Sequence, residues 1–158
     1  MTFKEPEALN GVAKFHKTFN MPINETPAIP SDERCQLRIS LLVEELEELK
    51  EAVKNKDIVE AADAFADLQY VLSGAILEFG LGKKFKALFD EVQRSNMSKT
   101  CKSLEEAEAT VSYYEMQRGA ESIIKKQGDE YLVYRKNDGK VFKSVNYSPP
   151  DLQKIIEE

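Results

Sequence analysis

The sequence predicts a mainly α protein: a four-helix-bundle-like core with a small C-terminal β-hairpin appendage. Three observations predict it. Apolar residues recur at helical spacing through the first hundred positions, helix-capping and helix-ending signals punctuate that stretch at short intervals, and past residue 100 the pattern turns to alternation around a turn triplet. The helical core is expected over residues 1–100. A helix plus the hairpin, over residues 101–158, is expected as an appendage of the same single domain, and 158 residues are enough to bury one substantial core.

Element by element, residues 6–20 read as a first helix, with Leu9, Val12, Ala13, Phe15, His16 and Phe19 forming an apolar side. Pro22, Pro27 and Pro30 make residues 21–30 a loop. Ser31 or Asp32 is placed to cap a long second helix reaching Lys54, and Asn55-Lys56-Asp57 is a short turn. Asp57 and Glu60 then have the spacing of a capping box, opening a third helix that Gly80-Leu81-Gly82 ends near Phe79. A fourth helix covers roughly 83–96. Ser103-Leu104-Glu105-Glu106 is another capping-box signature, opening a helix to about Gln117. Residues 129–147 alternate around Asn137-Asp138-Gly139, a hairpin signal, and Pro149-Pro150 precedes a short last helix from Asp151.

Composition excludes several classes. The formal net charge of −6 argues against a general nucleic-acid or anionic-membrane surface role, though not against an anionic substrate held through a metal and local cations. Cys35 and Cys101 are far apart and lack metal-ligand spacing, so they read as free thiols in a reducing compartment. The start has no signal-peptide character and no apolar run approaches membrane-spanning length, so a cytoplasmic location is expected.

Function is carried by carboxylates that sit where a helix should be apolar. On a helical projection of about 100° per residue, the apolar arc of the second helix is made by Leu41, Ala52, Leu49, Leu42, Val53 and Leu46. Glu45 projects into the middle of that arc. Glu48 falls at its edge, Glu44 lies just outside, and Glu47 and Glu51 point to water. The third helix is apolar around most of its circumference and is expected to be buried, with one polar stripe: Asp63, Asp67, Tyr70, Gly74 and, at the edges, Glu60 and Glu78. A short connection makes the two helices antiparallel neighbours, so the two carboxylate sets can face each other. An inward carboxylate is costly unless it is paired or binds a cation. Oxygen ligands without His or Cys suit Mg²⁺ or Mn²⁺.

Plainer readings stand beside this one. The Glu44–Glu48 run is a solvated acidic face if Glu45 is disregarded, Glu60 reads as a cap rather than a ligand, and Asp63 and Asp67 have Arg34 or Arg38 as alternative partners. His16, the sole histidine, reads as a hydrogen-bonded core or rim residue rather than a ligand.

Glu44-Glu45-x-x-Glu48, followed by a helix bearing Ala66-Asp67-Leu68-x-Tyr70, resembles the all-α nucleoside triphosphate pyrophosphohydrolases, the superfamily of MazG, dimeric dUTPase and phosphoribosyl-ATP pyrophosphohydrolase. Phe15-His16, the stretch from Tyr70 to Gly80, the stretch from Glu91 to Lys99, and the tail residues 138–143 and 147–152 are similar to the MazG-like branch. The likeness covers residues 9–100 and 138–156, and 101–136 looks like an insertion. One departure matters. The second motif of the family is usually Glu-x-x-Asp directly before Leu-x-Tyr; Asp67 fills the Asp position, but Ala64 stands where the Glu belongs. Asp63, one turn from Asp67 on the same stripe, is expected to replace it, whereas a literal Glu60-x-x-Asp63 match lies one turn earlier.

The resemblance implies hydrolysis of a nucleoside triphosphate, NTP or dNTP, to a monophosphate and pyrophosphate, in the manner of enzymes that remove non-standard nucleotides. It implies Mg²⁺ or Mn²⁺ held by Glu44, Glu45, Glu48, Asp63 and Asp67, with Glu44 or Asp63 as the catalytic base. Arg94, Asn96, Lys99, Lys140 and Lys143 become candidates for the phosphates and Tyr70 for the base. Lys140 and Lys143 read equally as a solvated turn. The resemblance further implies a homodimer or a dimer of dimers. The alternatives are a phosphoribosyl-ATP pyrophosphohydrolase and a non-catalytic helical interaction protein whose acidic stripe is a structural ion-pair network.

Overall fold

The computed structural model of the chain describes residues 2–157. Six helices, α1 (Ala8–Thr18), α2 (Asp32–Asn55), α3 (Ile58–Glu78), α4 (Phe85–Met97), α5 (Leu104–Arg118) and α6 (Leu152–Glu157), and a hairpin of β1 (Ser122–Gln127) and β2 (Glu130–Arg135) make it mainly helical, as predicted. The chain forms two compact units, one ending at Phe85 and the other beginning at Lys86. The sequence reading groups the fourth helix with the first three, but nearly all of α4 lies in the second unit. The reason is polar. Glu91 accepts from Asp151 N at 2.9 Å, Arg94 donates to Pro149 O at 3.1 Å, and Ser95 donates to the Tyr147 hydroxyl at 3.0 Å.

In the first unit α1 and α2 pack on α3. The turn between α2 and α3 is made by Lys56, in the left-handed region at φ 56°, and by Asp57, whose carboxylate accepts from Val59 N at 3.0 Å and Glu60 N at 3.2 Å. The reciprocal half of the predicted capping box is not formed: Asp57 N is already bonded to Ala52 O at 3.0 Å. At α2, Ser31 occupies the cap position without a side-chain cap bond, and Asp32 and Glu33 supply the negative charge of the first turn. The proline loop straps over the end of α3, where Asn24 N and Ala28 N donate to Leu77 O and Phe79 O at 3.0 and 3.1 Å. Gly80 is required there. Its φ is +69°, and a Cβ would stand 1.9 Å from Thr26 O.

The third helix is not buried all round, contrary to expectation. Ala61, Ala64, Ile76 and Leu77 are buried, but Ile58, Val59, Phe65 and Leu72 are exposed. Two helices cover only part of a cylinder, and the remaining apolar face of α3 has no partner within the first unit.

The second unit has its own core of Cys101, Ala107, Tyr114, Val133 and Phe142, with the Tyr114 and Phe142 rings stacked 3.9 Å apart. The hairpin lies earlier than expected. Its two-residue turn is Gly128-Asp129, bracketed by the Gln127↔Glu130 pair, with Gly128 at φ 59° supplying the positive φ that such a turn needs. Asn137-Asp138-Gly139 also turns the chain, but the residues after it make only a bridge of Val141 to Tyr134 on the free edge of β2. Cys101 bonds to Tyr131 on that same edge through both backbone groups, at 2.8 Å each. The hairpin therefore docks through β2 instead of standing alone, which an isolated two-stranded pair cannot do stably in water.

Candidate functional site

α2 and α3 carry two clusters of charge, and both arise from side-chain spacing. Toward the end of α3, Glu78 is 1% exposed and takes hydrogen bonds from Arg34 and Arg38 of α2, one of them from Arg34 Nε at 3.0 Å. Arg38 is itself buried and reaches His16 Nε2 at 3.2 Å, while His16 Nδ1 donates to Pro22 O at 2.8 Å. A ring that accepts at Nε2 and donates at Nδ1 is the neutral tautomer. Gly74 gives this group its space: a Cβ there would meet Arg38 Nη1 at 2.7 Å and His16 Nε2 at 3.1 Å. Burial pushes the Glu78 carboxyl up, but the two guanidinium groups outweigh it and hold the group below the usual carboxylate value. Glu78, expected at the edge of the acidic stripe, is thus fully committed, and His16 is the hydrogen-bonded core residue anticipated for it.

The second cluster lies between this network and the α2–α3 turn, where the sequence places Glu44, Glu45, Glu48, Asp63 and Asp67. Glu45 is half-buried and its Oε2 is fully buried without a hydrogen-bond partner. Burial pushes its carboxyl above the usual value, and the charges of Glu48, Asp67, Glu44 and Asp63 push it further the same way. The structure therefore brings all five sequence-predicted ligands into one field. The alternative pairing of Asp63 or Asp67 with Arg34 or Arg38 does not form, because both arginines are taken by Glu78. Among the described residues no cation forms an ion pair with any of the five.

The donor set fits a hard divalent cation. It is all oxygen, it is crowded with like charge, and it contains one orphaned buried oxygen that a cation would satisfy. As the side chains stand, no group of three or more His, Cys, Asp or Glu among the described residues is close enough to hold a metal ion. Four of the five carboxylates are exposed, and their side chains are free to change rotamer. Glu60, freed from the cap, lines a cleft of about 360 Å³ with Glu48, Glu51 and Asp57 at the α2–α3 turn. Tyr70 is 42% exposed and rests edge-on against Phe15 with ring centroids 5.7 Å apart.

The expected phosphate-binding residues lie in the second unit and are only partly gathered. Lys143 Nζ sits 4.1 Å from the centroid of the Tyr147 ring, and Ser95 donates to the Tyr147 hydroxyl. That hydrogen bond, together with the charges of Lys143 and Lys99, lowers the Tyr147 phenol from its ordinary value against the effect of burial. Lys99 also donates to Asn96 Oδ1 at 2.7 Å. Arg94 is partly neutralised by a two-point contact with Glu91 at 2.7 and 2.8 Å. Lys140 stands instead at the Asp138 turn. Tyr147, the common neighbour of Lys99 and Lys143, was not singled out by sequence reasoning; the stretch Asn146-Tyr147-Ser148-Pro149-Pro150 was the available signal.

Comparison with known proteins agrees with the helical part of this picture. Residues 12–96, more than half of the chain, match the family model described as phosphoribosyl-ATP pyrophosphohydrolase. An uncharacterized protein of Acanthamoeba polyphaga mimivirus is 34% identical over 82 residues, covering 49% of this chain and 33% of the viral protein. The chain thus matches about a third of that relative's length. The family match takes in the whole of α2 and α3 and stops before the segment that carries α5 and the hairpin. No helix among the described residues is long and apolar enough to cross a membrane.

Proposed function

The chain belongs to the phosphoribosyl-ATP pyrophosphohydrolase family, and from that membership we propose that it is a divalent-cation-dependent nucleotide pyrophosphohydrolase. It cleaves a nucleoside triphosphate between the α and β phosphates, giving a monophosphate and pyrophosphate. The reading rests on one observation above the others: Glu45 Oε2 is buried, has no partner, and is surrounded by four more uncompensated carboxylates. Stability alone does not explain such a group, since an unpaired buried carboxylate is a cost.

Glu44, Glu45, Glu48 and Asp67 hold Mg²⁺ or Mn²⁺ in this reading, with Asp63 filling the place of the family's missing glutamate. The bound ion supplies Lewis acidity and neutralises phosphate charge. Whichever of Glu44 and Asp63 is left unligated accepts the proton of the water that adds across the anhydride, and pyrophosphate leaves as that bond breaks. The half-exposed Tyr70 ring, on the same unit as these carboxylates, meets the base.

A second copy of the chain is the partner that suits the first unit. On α3, Ile58, Phe65 and Leu72 repeat every seven residues and therefore share one exposed face, and on α2 Ile39, Val43, Leu46 and Val53 are exposed as well. Light scattering on purified protein is expected to give a dimer or a dimer of dimers.

A panel of NTPs, dNTPs and phosphoribosyl-ATP, with pyrophosphate detection in Mg²⁺, Mn²⁺ and EDTA, tests the activity. Pyrophosphate release that requires the metal is the expected result. Release from phosphoribosyl-ATP alone narrows the reading to the reaction in the family's description, and no metal-dependent release from any member contradicts it.

A further inference from the structure

The second unit holds a cavity of about 550 Å³ that the proposed hydrolysis does not use, within the range of small-molecule sites. It is lined by Arg118, Glu121, Arg135, Lys136, Asn137 and Phe142, all beyond the residues matched to the family. The polar groups on its wall are mostly hydrogen-bond donors. Arg118 forms no ion pair among the described residues and contacts the Tyr114 ring at 5.6 Å, so its guanidinium donors are uncommitted. Arg135 uses Nε and Nη2 on Asp138, at 2.8 and 2.5 Å, leaving Nη1 free. Lys136 gives one N–H to Glu121 at 2.7 Å and keeps two. Asp138 and Glu121 thus offset Arg135 and Lys136, and the charge left over at the cavity is that of Arg118.

The aromatic part of the wall is not open for stacking. Phe142 is 6% exposed, its ring lies on Tyr114, and the Arg135 guanidinium sits 5.9 Å over it. A donor-rich, cationic cavity without a free aromatic face selects charge and oxygen geometry rather than a base, and guanidinium forks match phosphate oxygens. We propose that this cavity is a second site that binds a small phosphate-bearing anion through its phosphate oxygens.

Calorimetric titration of the full chain in EDTA tests this, with pyrophosphate, ATP and adenosine as probes. EDTA removes the ions that the hydrolysis reading requires, and a Lys99 variant reports any binding at the cations first considered for the substrate phosphates. Pyrophosphate and ATP are expected to bind and adenosine is not. Arg118→Ala, at an exposed position where folding is readily verified by melting, is expected to weaken pyrophosphate binding at least fivefold. Lys99→Ala is expected to change it less than twofold. No pyrophosphate binding by the unmodified chain overturns the proposal. So does undiminished binding by Arg118→Ala, an equal or larger loss in Lys99→Ala, or adenosine binding as tightly as ATP.

Discussion

The same two helices carry two charge clusters built from the same residue types, and they end in opposite states. At Glu78 every carboxylate oxygen meets a guanidinium, and the group is closed by His16 and a backbone carbonyl. Toward the α2–α3 turn, five carboxylates share one field, with no cation paired to them among the described residues, and leave a buried oxygen unpartnered. Buried charge is tolerated when paired and is a standing cost when it is not. The closed cluster therefore belongs to the architecture of the first unit, and the open one is where the proposed cation would bind. The contrast also settles where the nearby arginines go. Had Arg34 or Arg38 reached Asp63 or Asp67, the acidic group would have been an ordinary ion-pair network.

The largest effect that sharpens this contrast is on turnover. Glu45→Gln removes charge from the inward oxygen at nearly constant volume, and is expected to lower metal-dependent pyrophosphate release by about a thousandfold, roughly 4 kcal/mol of barrier. Glu47→Gln, on the exposed side of α2 and paired with Lys50, should stay within twofold. Comparable losses in steady-state assays of the two variants would erase the distinction between inward and outward carboxylates.

The closed cluster should fail in stability instead. Glu78→Ala leaves two guanidinium groups without their counter-ion and is expected to cost roughly 3–5 kcal/mol in urea unfolding, as breaking one side of a buried pair does. A loss below about 1 kcal/mol, or a loss of turnover at full stability, would show that the two clusters are not different in kind.

Within the open cluster, Asp67→Asn is expected to lower turnover by about a hundredfold, near 2.7 kcal/mol, and Glu60→Gln by less than fivefold. Glu60 is absent from the charges acting on Glu45, whereas Asp67 is among the strongest of them. The reverse ranking would move the metal-binding motif one turn toward the start of α3, to the literal Glu60-x-x-Asp63 match.

Much of this was legible in the sequence, and the rest was hidden for physical reasons. The inward position of Glu45 comes from helical periodicity alone, because the step of about 100° per residue places it between Ala52 and Leu49 on the helix surface. The Asp57 and Ser103 caps were likewise local, each needing only a side-chain oxygen two or three residues from a free N–H. The choice of Glu78 over Asp63 or Asp67 by the two arginines depends on how α2 and α3 align along their length, which no local pattern encodes. The hairpin was misplaced because two turn signals compete within a dozen residues. Lys125 and Lys126 interrupt the alternation of β1, which hides the Gly128-Asp129 turn behind the stronger pattern around Asn137-Asp138-Gly139. The exposed residues of α3 were read as core because apolar character reports burial without saying which chain covers it.

The smallest expected effect is one of pH. Burial and four neighbouring charges raise the Glu45 carboxyl above its ordinary 4.5, so the folded state binds that proton more tightly than the unfolded chain does. Its contribution is complete below that value and is lost as pH rises through the raised one. In EDTA, Glu45→Gln should therefore unfold at a slightly higher temperature than the unmodified chain at pH 7, and the difference should shrink toward pH 4. A destabilised variant at neutral pH would mean that Glu45 has a stabilising partner within the chain.

The measurement closest to the central claim is the melting temperature of the unmodified chain and of Glu45→Gln as Mg²⁺ or Mn²⁺ is titrated at pH 7. A ligand that binds only the folded state stabilises by mass action, by about 2.7 kcal/mol at a hundred times its dissociation constant. For a first unit of 85 residues that is a shift of order 10 °C. A saturable rise in the unmodified chain, absent in Glu45→Gln and unaffected in Glu47→Gln, is the predicted result. Identical, non-saturating responses in all three proteins would mean that the open cluster is a solvated acidic surface and not a cation site.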